Sequence, residues 1–299
     1  MKYLVVGPSI INDIEFDGSF VKKSIIGGSI YCVAGIKLWC DDCLYISNVG
    51  KDFSVYYGEW MNKNKCSYSG LKEILPHTQY TLLKYGKDGI HTEESIYGIK
   101  EEEIISILDK HDITHIDNFC NKDTKGIYIE ANEKDEIWVH LDKLKEKGNI
   151  TVMWELPTSV ATQPERRKET IEIIEKVGIF SVNMPEAKIL FNSNNNNEII
   201  ESIIKLGVPC YLRYGKKGSY MICNNNAHFS ESVNLGEVID TTGCGNCSTA
   251  AALYGYCEGY KPDKIALIGN IAAGYNLLQY GPYPDIISKR NEAIEILEK

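Results

Sequence analysis

From residue 101 onward, short apolar runs alternate with longer amphipathic stretches, and this rhythm leaves few folds open to the chain. Residues 113–116 and 150–154 read as strands, and 166–177 as an amphipathic helix behind Pro164. Residues 179–182 form a further strand, 198–206 a helix and 210–213 a strand. Two helices follow, over 247–257 and 262–279, with Gly259 as a stop and Pro262 as a start. Such alternation predicts an α/β fold: a central, mostly parallel sheet with helices on both faces. The chain begins the same way. Tyr3-Leu4-Val5-Val6 is a short apolar strand ending at Gly7, and residues 30–39 form a helical run behind Gly27-Gly28-Ser29. Residues 44–49 are a second core strand, stopped by Gly50. Between 78 and 98 the pattern switches to polar/apolar alternation around Gly86-Lys87-Asp88-Gly89, which predicts an antiparallel hairpin.

Composition narrows the class of partner. A chain of 299 residues can bury a substantial core, and we read residues 1–299 as a single domain. The net charge of −9 argues against a nucleic-acid surface, so an anionic small ligand needs a local positive site. Lys143, Lys145 and Lys147 alternate with Leu144 and Glu146 and read as a solvated helix end. No apolar run approaches the length of a membrane span, and residues 1–6 are too short for the apolar part of a secretory signal. Ten cysteines without an export signal predict free thiols and a cytoplasmic location. Neither Cys40/Cys43 nor Cys244/Cys247 has the second pair that a zinc ribbon requires. A thiol at a helix N-terminus can have a lowered pKa, which draws attention to Cys244 and Cys247. The Asn-rich stretches at 192–197 and 224–226 read as loops.

The segment Asp240-Thr241-Thr242-Gly243-Cys244-Gly245-Asn246 precedes a run of small helical residues. A glycine turn feeding a helix presents unpaired N–H groups, and the helix dipole adds partial positive charge there. That suits a phosphate, or oxyanion charge developing during transfer. Elsewhere, Asn183 and Glu186 have the spacing of a capping pair before an apolar run. Gly27-Gly28 alone would be a turn, and Asp13 or Asp240 alone a loop or cap residue.

The Asp240–Asn246 segment resembles the signature of the PfkB/ribokinase family of carbohydrate kinases, whose pattern runs Asp-Thr-x-Gly-x-Gly-Asp. Other pieces follow in family order along nearly the whole chain. They are Gly7 to Asp13, Gly27-Gly28, Asn48-Val49-Gly50-Lys51-Asp52, the hairpin over 78–98, Asn183-Met184-Pro185-Glu186, the loop Arg213-Tyr214-Gly215-Lys216-Lys217-Gly218, and the helix containing Asn270. The resemblance implies a ribokinase-like fold with a small antiparallel β-lid, its segments at roughly 11–25 and 78–98. It implies ATP- and Mg²⁺-dependent phosphorylation of a hydroxyl on a small sugar or nucleoside. In that reading Asp13 (or Asn12 at the same place), Gly27, Gly28 and Ser29 hold the acceptor. Asn183, Glu186, Arg213, Gly215, Gly218 and Asn270 serve the nucleotide. Glu186 handles magnesium through water, Asp240 a monovalent cation such as K⁺, and Gly243, Cys244 and Gly245 form the anion hole. Several relatives pair their lids, which extends the expectation of a homodimer to this chain.

The departures are specific. The last Asp of the signature, the family's general base, is Asn246 here; Arg213 stands where Thr is common, and Glu155 where many relatives have Asp. A neutral amide cannot accept a proton at pH 7, so assistance of about 10²–10⁴-fold is lost from that side chain. Positioning and electrostatics carry most of phosphoryl transfer and remain available. Two readings stay open: a kinase, or a pseudokinase that binds nucleotide and a sugar-like ligand without turnover.

Overall fold

The computed structural model describes residues 1–86, 91–98, 100–158 and 163–299. Tyr3-Leu4-Val5-Val6 forms β1 (Tyr3–Val6), buried along its whole length. Tyr3 and Val5 face one apolar cluster, Leu4 and Val6 the other. An unbroken apolar run is what a strand covered on both faces requires. Largely buried, predominantly apolar strands recur as β4 (Cys43–Gly50), β8 (Gly126–Ile129), β9 (Thr151–Glu155), β10 (Ile179–Asn183) and β11 (Cys210–Arg213). With β5 (Leu71–Leu75), β12 (Gly218–Cys223) and β13 (Asn226–Glu231) they form, among the described residues, a nine-stranded sheet ordered β13-β12-β11-β10-β9-β8-β1-β4-β5. Pairing is parallel from β11 to β5, and β12 and β13 add an antiparallel edge.

A second sheet stands apart from the first. It contains β2 (Ser9–Phe16), β3 (Ser19–Gly28), β6 (Gln79–Tyr85) and β7 (His91–Ser95), ordered β3-β2-β6-β7. β2–β3 and β6–β7 are antiparallel hairpins, joined through a parallel β2–β6 pair. The expected hairpin at 78–98 is therefore β6–β7, and residues 87–90 of its connection lie outside the described residues.

One strand expectation is corrected. Residues 113–116 are helical, within Ile113–Asp117, because Asp112 caps them: its Oδ1 accepts from the Thr114 and His115 N–H groups at 2.9 and 3.3 Å. Isoleucines at 113 and 116 are three apart, a spacing that places both on one helical face. The strand in this part of the chain is β8, a four-residue Gly-Ile-Tyr-Ile run. A boundary also shifts with consequence: the helix expected from 247 begins at Cys244, so Gly245 and Asn246 sit in its first turn. Among the described residues no helix is long and apolar enough to cross a membrane.

Two long-range ties hold the frame. Arg290 caps the C-terminal end of the helix Ile30–Lys37, donating from Nε to the Leu38 carbonyl and from Nη2 to the Lys37 carbonyl, at 3.1 and 2.8 Å. On the other face, Trp154 of β9 is fully buried and donates its indole N–H to the Ala131 carbonyl at 2.9 Å. Trp138, its ring centroid 4.9 Å away, does the same to the Asn132 carbonyl at 2.6 Å. These two indoles pin the segment that leaves β8. Trp154→Phe keeps most of the packing but strands a carbonyl, at about 1–3 kcal/mol. A urea titration should show that loss, and an unchanged midpoint would refute the role given to the indole.

Candidate active site

Parallel strands end on one edge of a sheet, and that edge is where ligands of open α/β sheets bind. Here β8, β9, β10 and β11 deliver Glu130, Glu155, Asn183 and Arg213 at or just past their C-terminal ends. All four line a cleft of about 1080 Å³ together with Glu186, Gly215, Gly218, Cys244, Gly245, Asn246 and Asn270.

The glycine turn is shaped by contact as well as by dihedral angle. Gly243 caps the helix Cys244–Cys257 at φ 73°, and a Cβ there would lie 2.2 Å from the Tyr31 ring. A Cβ on Gly245 would lie 2.1 Å from Nη1 of Arg213. The guanidinium thus presses directly on the first turn of the helix. Arg213 Nη1 is 2.6 Å from Glu155 Oε1, and Nη2 is 3.9 Å from Glu186 Oε2. The Tyr128 hydroxyl donates to the other Glu155 oxygen at 2.6 Å and accepts from the Asn246 amide at 3.4 Å. Asn246, the residue at the expected base position, is therefore tied through Tyr128 and Glu155 to Arg213.

Asn183 and Glu186 form the capping box read from their spacing. Asn183 Oδ1 accepts from the Glu186 N–H at 2.9 Å, and Glu186 Oε2 accepts from the Asn183 N–H at 3.1 Å. Thr158 donates to Glu186 Oε1 at 2.7 Å. Asn270 uses its side chain on β12 and the end of β13: Nδ2 donates to the Ser230 and Glu231 carbonyls, each at 2.9 Å, and Oδ1 accepts from Ser219 at 2.9 Å. It shapes the cleft wall around Gly218. Beside the glycine turn, Asp240 Oδ1 accepts from the Thr242 N–H and hydroxyl at 3.0 and 2.7 Å. Asp240 Oδ2 and Asn276 Oδ1 are buried without a hydrogen-bond partner. Asn276 donates from Nδ2 to the Thr242 carbonyl at 2.8 Å, so both orphan oxygens belong to side chains that bind the same turn. Two oxygens left bare in this way suit a small cation.

The thiol expectation is overturned. Burial pushes Cys244 up to about 11, against a lowering by Asn276, and raises Cys247 well above the usual thiol range. Desolvation outweighs the helix dipole at both positions.

The acceptor candidates lie on the lid side. Asp13 Oδ1 accepts from the Ser24 N–H and the Tyr80 hydroxyl, each at 2.8 Å, so it braces β3 against β6. The Asn12 amide lies over Gly27, 2.3 Å from where a Cβ would be. Neither residue lines the cleft, and neither do Gly27 and Gly28. Ser29 is buried and connects the two regions, donating to Glu130 Oε2 at 2.6 Å. The lid also touches the glycine turn, where the hydroxyls of Tyr85 and Thr242 are 2.9 Å apart.

Sequence reasoning missed Glu130 and Tyr128. Both depend on β8, the strand it did not find; a carboxylate at the end of a recognised core strand would have been a candidate. Burial, with Glu155 nearby, pushes the Glu130 carboxyl up to about 7 despite the Ser29 hydrogen bond.

Comparison with known proteins gives the same direction. A model described as "pfkB family carbohydrate kinase" matches residues 26–289. An uncharacterized sugar kinase of Archaeoglobus fulgidus is 28% identical over 111 residues, 37% of this chain and 44% of that protein. The ATP-dependent 6-phosphofructokinase of Thermoanaerobacterium thermosaccharolyticum is 20% identical over 300 positions, 95% of this chain and 90% of that one. Among solved structures, a nucleoside kinase of Methanocaldococcus jannaschii superposes with a TM-score of 0.73 at 20% identity, covering 99% of each chain. An Escherichia coli protein described as a putative ribokinase II, in complex with ATP and Mg²⁺, superposes at 0.74 with 15% identity, also over 99% of each.

The Arg213–Glu155 pair is nearly buried, so its partners should not be separable. Arg213→Met leaves a carboxylate without its cation and should lower unfolding free energy by about 3–5 kcal/mol. The double variant Arg213→Met/Glu155→Gln should recover most of that loss. A single variant as stable as the parent in denaturant titration would contradict this.

Proposed function

This chain belongs to the pfkB family of carbohydrate kinases, and on that premise we propose that it transfers the γ-phosphoryl group of ATP to a hydroxyl of a small sugar or nucleoside. The observation that carries the proposal is the first helical turn Cys244-Gly245-Asn246 opening into the cleft. The Cys244 N–H donates to the Thr241 carbonyl at 3.2 Å, so the N–H groups of Gly243, Gly245 and Asn246 are the ones that would hold the phosphoryl oxygens as charge spreads over them. Gly215 and Gly218 let the loop after β11 approach the nucleotide, and Asn270 holds that loop's neighbour in place. Gly27, Gly28 and Ser29, with Asp13 or Asn12 behind them, would enclose the acceptor under the lid.

The residues present fit the ions that the reaction calls for. Magnesium keeps several waters and takes one or two carboxylates besides substrate phosphates. Glu186 meets that description: its oxygens already accept from Thr158 and Asn183, which favours contact through water over direct coordination. When bound, Mg²⁺ would neutralise charge on the phosphate oxygens. The bare oxygens of Asp240 and Asn276 fit K⁺ beside the glycine turn. All ten cysteines are free, which suits the reducing cytoplasm proposed as the location.

A second reading has an observation of its own. Asn246 cannot take a proton, so a nucleotide and sugar sensor without turnover fits the same cleft. A screen of ATP consumption over sugars and nucleosides, paired with thermal shift, separates the two. ATP with Mg²⁺ should raise the melting temperature by mass action, and Gly245→Val should abolish the shift. Phosphorylated product supports the kinase, and ligand-induced shifts without product support the sensor. No shift at millimolar ATP, for a folded sample, would remove both.

The lid carries a further proposal. Phe16, Phe20, Val21 and Ile96 are 47%, 53%, 44% and 48% exposed on the small sheet or next to it. Apolar side chains gathered on one thin layer suit pairing with a second lid. Sedimentation should show a dimer that Phe20→Ser weakens; a strict monomer at all concentrations would end the claim.

A further inference from the structure

We infer that Glu130 is the general base of this enzyme, taking the proton of the acceptor hydroxyl as that oxygen attacks the γ-phosphorus. The inference rests on the kinase reading above and assigns the task that Asn246 cannot perform.

Its first support is position. Glu130 follows β8 directly and lies two residues after Tyr128, so both side chains leave the same face of the strand. Tyr128 accepts the hydrogen bond of Asn246, and Glu130 lines the cleft along with Asn246. A carboxylate therefore lines the same cleft as the residue at the family's base position, and Tyr128, two residues before it, is that residue's hydrogen-bond partner.

The second support is availability. Glu155 is committed to Arg213 and Tyr128, and Glu186 to Thr158, the Asn183 N–H and the edge of Arg213. Glu130 is in no ion pair among the described residues. Among the described residues its Oε2 accepts one neutral hydrogen bond, from Ser29, and Oε1 accepts none. Ser29 adjoins the Gly27-Gly28 pair, so this bond orients the carboxylate from the acceptor's side of the cleft.

The third support is its proton affinity. The groups around Glu130 act in both directions: burial, Glu155 and Asp109 raise its pKa, while Ser29 and Arg213 lower it. Cys32 and Tyr128 also adjoin it, both held neutral by burial. The outcome, about 7, suits a base that must be ionised at working pH and still hold a proton in the transition state.

The step balances without a further reagent. The hydroxyl O–H breaks and its proton passes to Glu130 Oε1. The hydroxyl oxygen bonds to the γ-phosphorus, and the bond from that phosphorus to the bridging oxygen breaks with its electron pair leaving on ADP. The protonated Glu130 then returns its proton to water.

The test uses the full chain with an acceptor found by the ATP-consumption screen. For the wild type, kcat/KM should rise with pH through about 7 and level off. Glu130→Gln should lower kcat by about 10²–10⁴-fold and abolish that limb, with the thermal shift given by ATP and Mg²⁺ retained. Glu130→Gln/Asn246→Asp should regain turnover, since it returns a carboxylate to the family's position. If the Gln variant does not fold, Ser29→Ala serves: removing a bond that stabilises the ionised form should move the limb to higher pH. Wild-type turnover that survives Glu130→Gln, or a limb that Ser29→Ala does not move, overturns the assignment and leaves the kinase reading standing. Absence of turnover by the wild type with every acceptor, alongside intact ATP binding, overturns both.

Discussion

The cleft is organised around one buried cation. Glu130, Glu155 and Glu186 converge there, and a nucleotide would bring more negative charge. Like charges gathered in a low-dielectric site raise one another's proton affinity and repel an anionic ligand. Arg213 offsets this from the end of β11, 2.6 Å from Glu155 and 3.9 Å from Glu186. Its planar fork reaches two carboxylates and packs against the helix turn at Gly245, which a lysine could not do. β9, β11 and the helices beginning at Met184 and Cys244 are thereby fixed to one another at the level where chemistry would occur.

That arrangement also explains the division of labour among the acidic groups. The carboxylate next to the guanidinium is held by it, whereas Glu130 accepts a single hydrogen bond among the described residues, from Ser29, and burial pushes it up to about 7. Asn246 adds no charge to this crowded region; a carboxylate there would have stood next to Tyr128 and Glu155.

The alternation of strands and helices was legible because the core strands are predominantly apolar and helices such as Pro262–Asn276 have their own start or stop. The capping box at Asn183 and Glu186 was equally legible, since both partners lie within one turn. What failed was local ambiguity: 113–116 and β8 are both four residues long, and only the cap at Asp112 and the parallel register with Tyr3–Val6 tell them apart. Losing β8 concealed Tyr128 and Glu130. The bond from Arg213 to Glu155 joins residues 58 apart in the chain, and the parallel pairing of β2 with β6 joins segments still further apart. No window of sequence contains either.

The cap that Arg290 places on the helix Ile30–Lys37 has a consequence for the order in which the molecule is made. That helix lies against the turn at Gly243, through Tyr31, yet its last carbonyls find their partner in Arg290, more than 250 residues later. β1 likewise waits for β8 on one side, and the Tyr3 hydroxyl donates to Glu258, 255 residues later. Chains dominated by such distant pairings fold slowly and expose apolar surface while they do so. On the ribosome the first helix must therefore remain incomplete until Arg290 has emerged, and the glycine turn against it acquires its final shape only then. Removing only the helix Arg290–Glu298 would reach back to the cleft through the first helix.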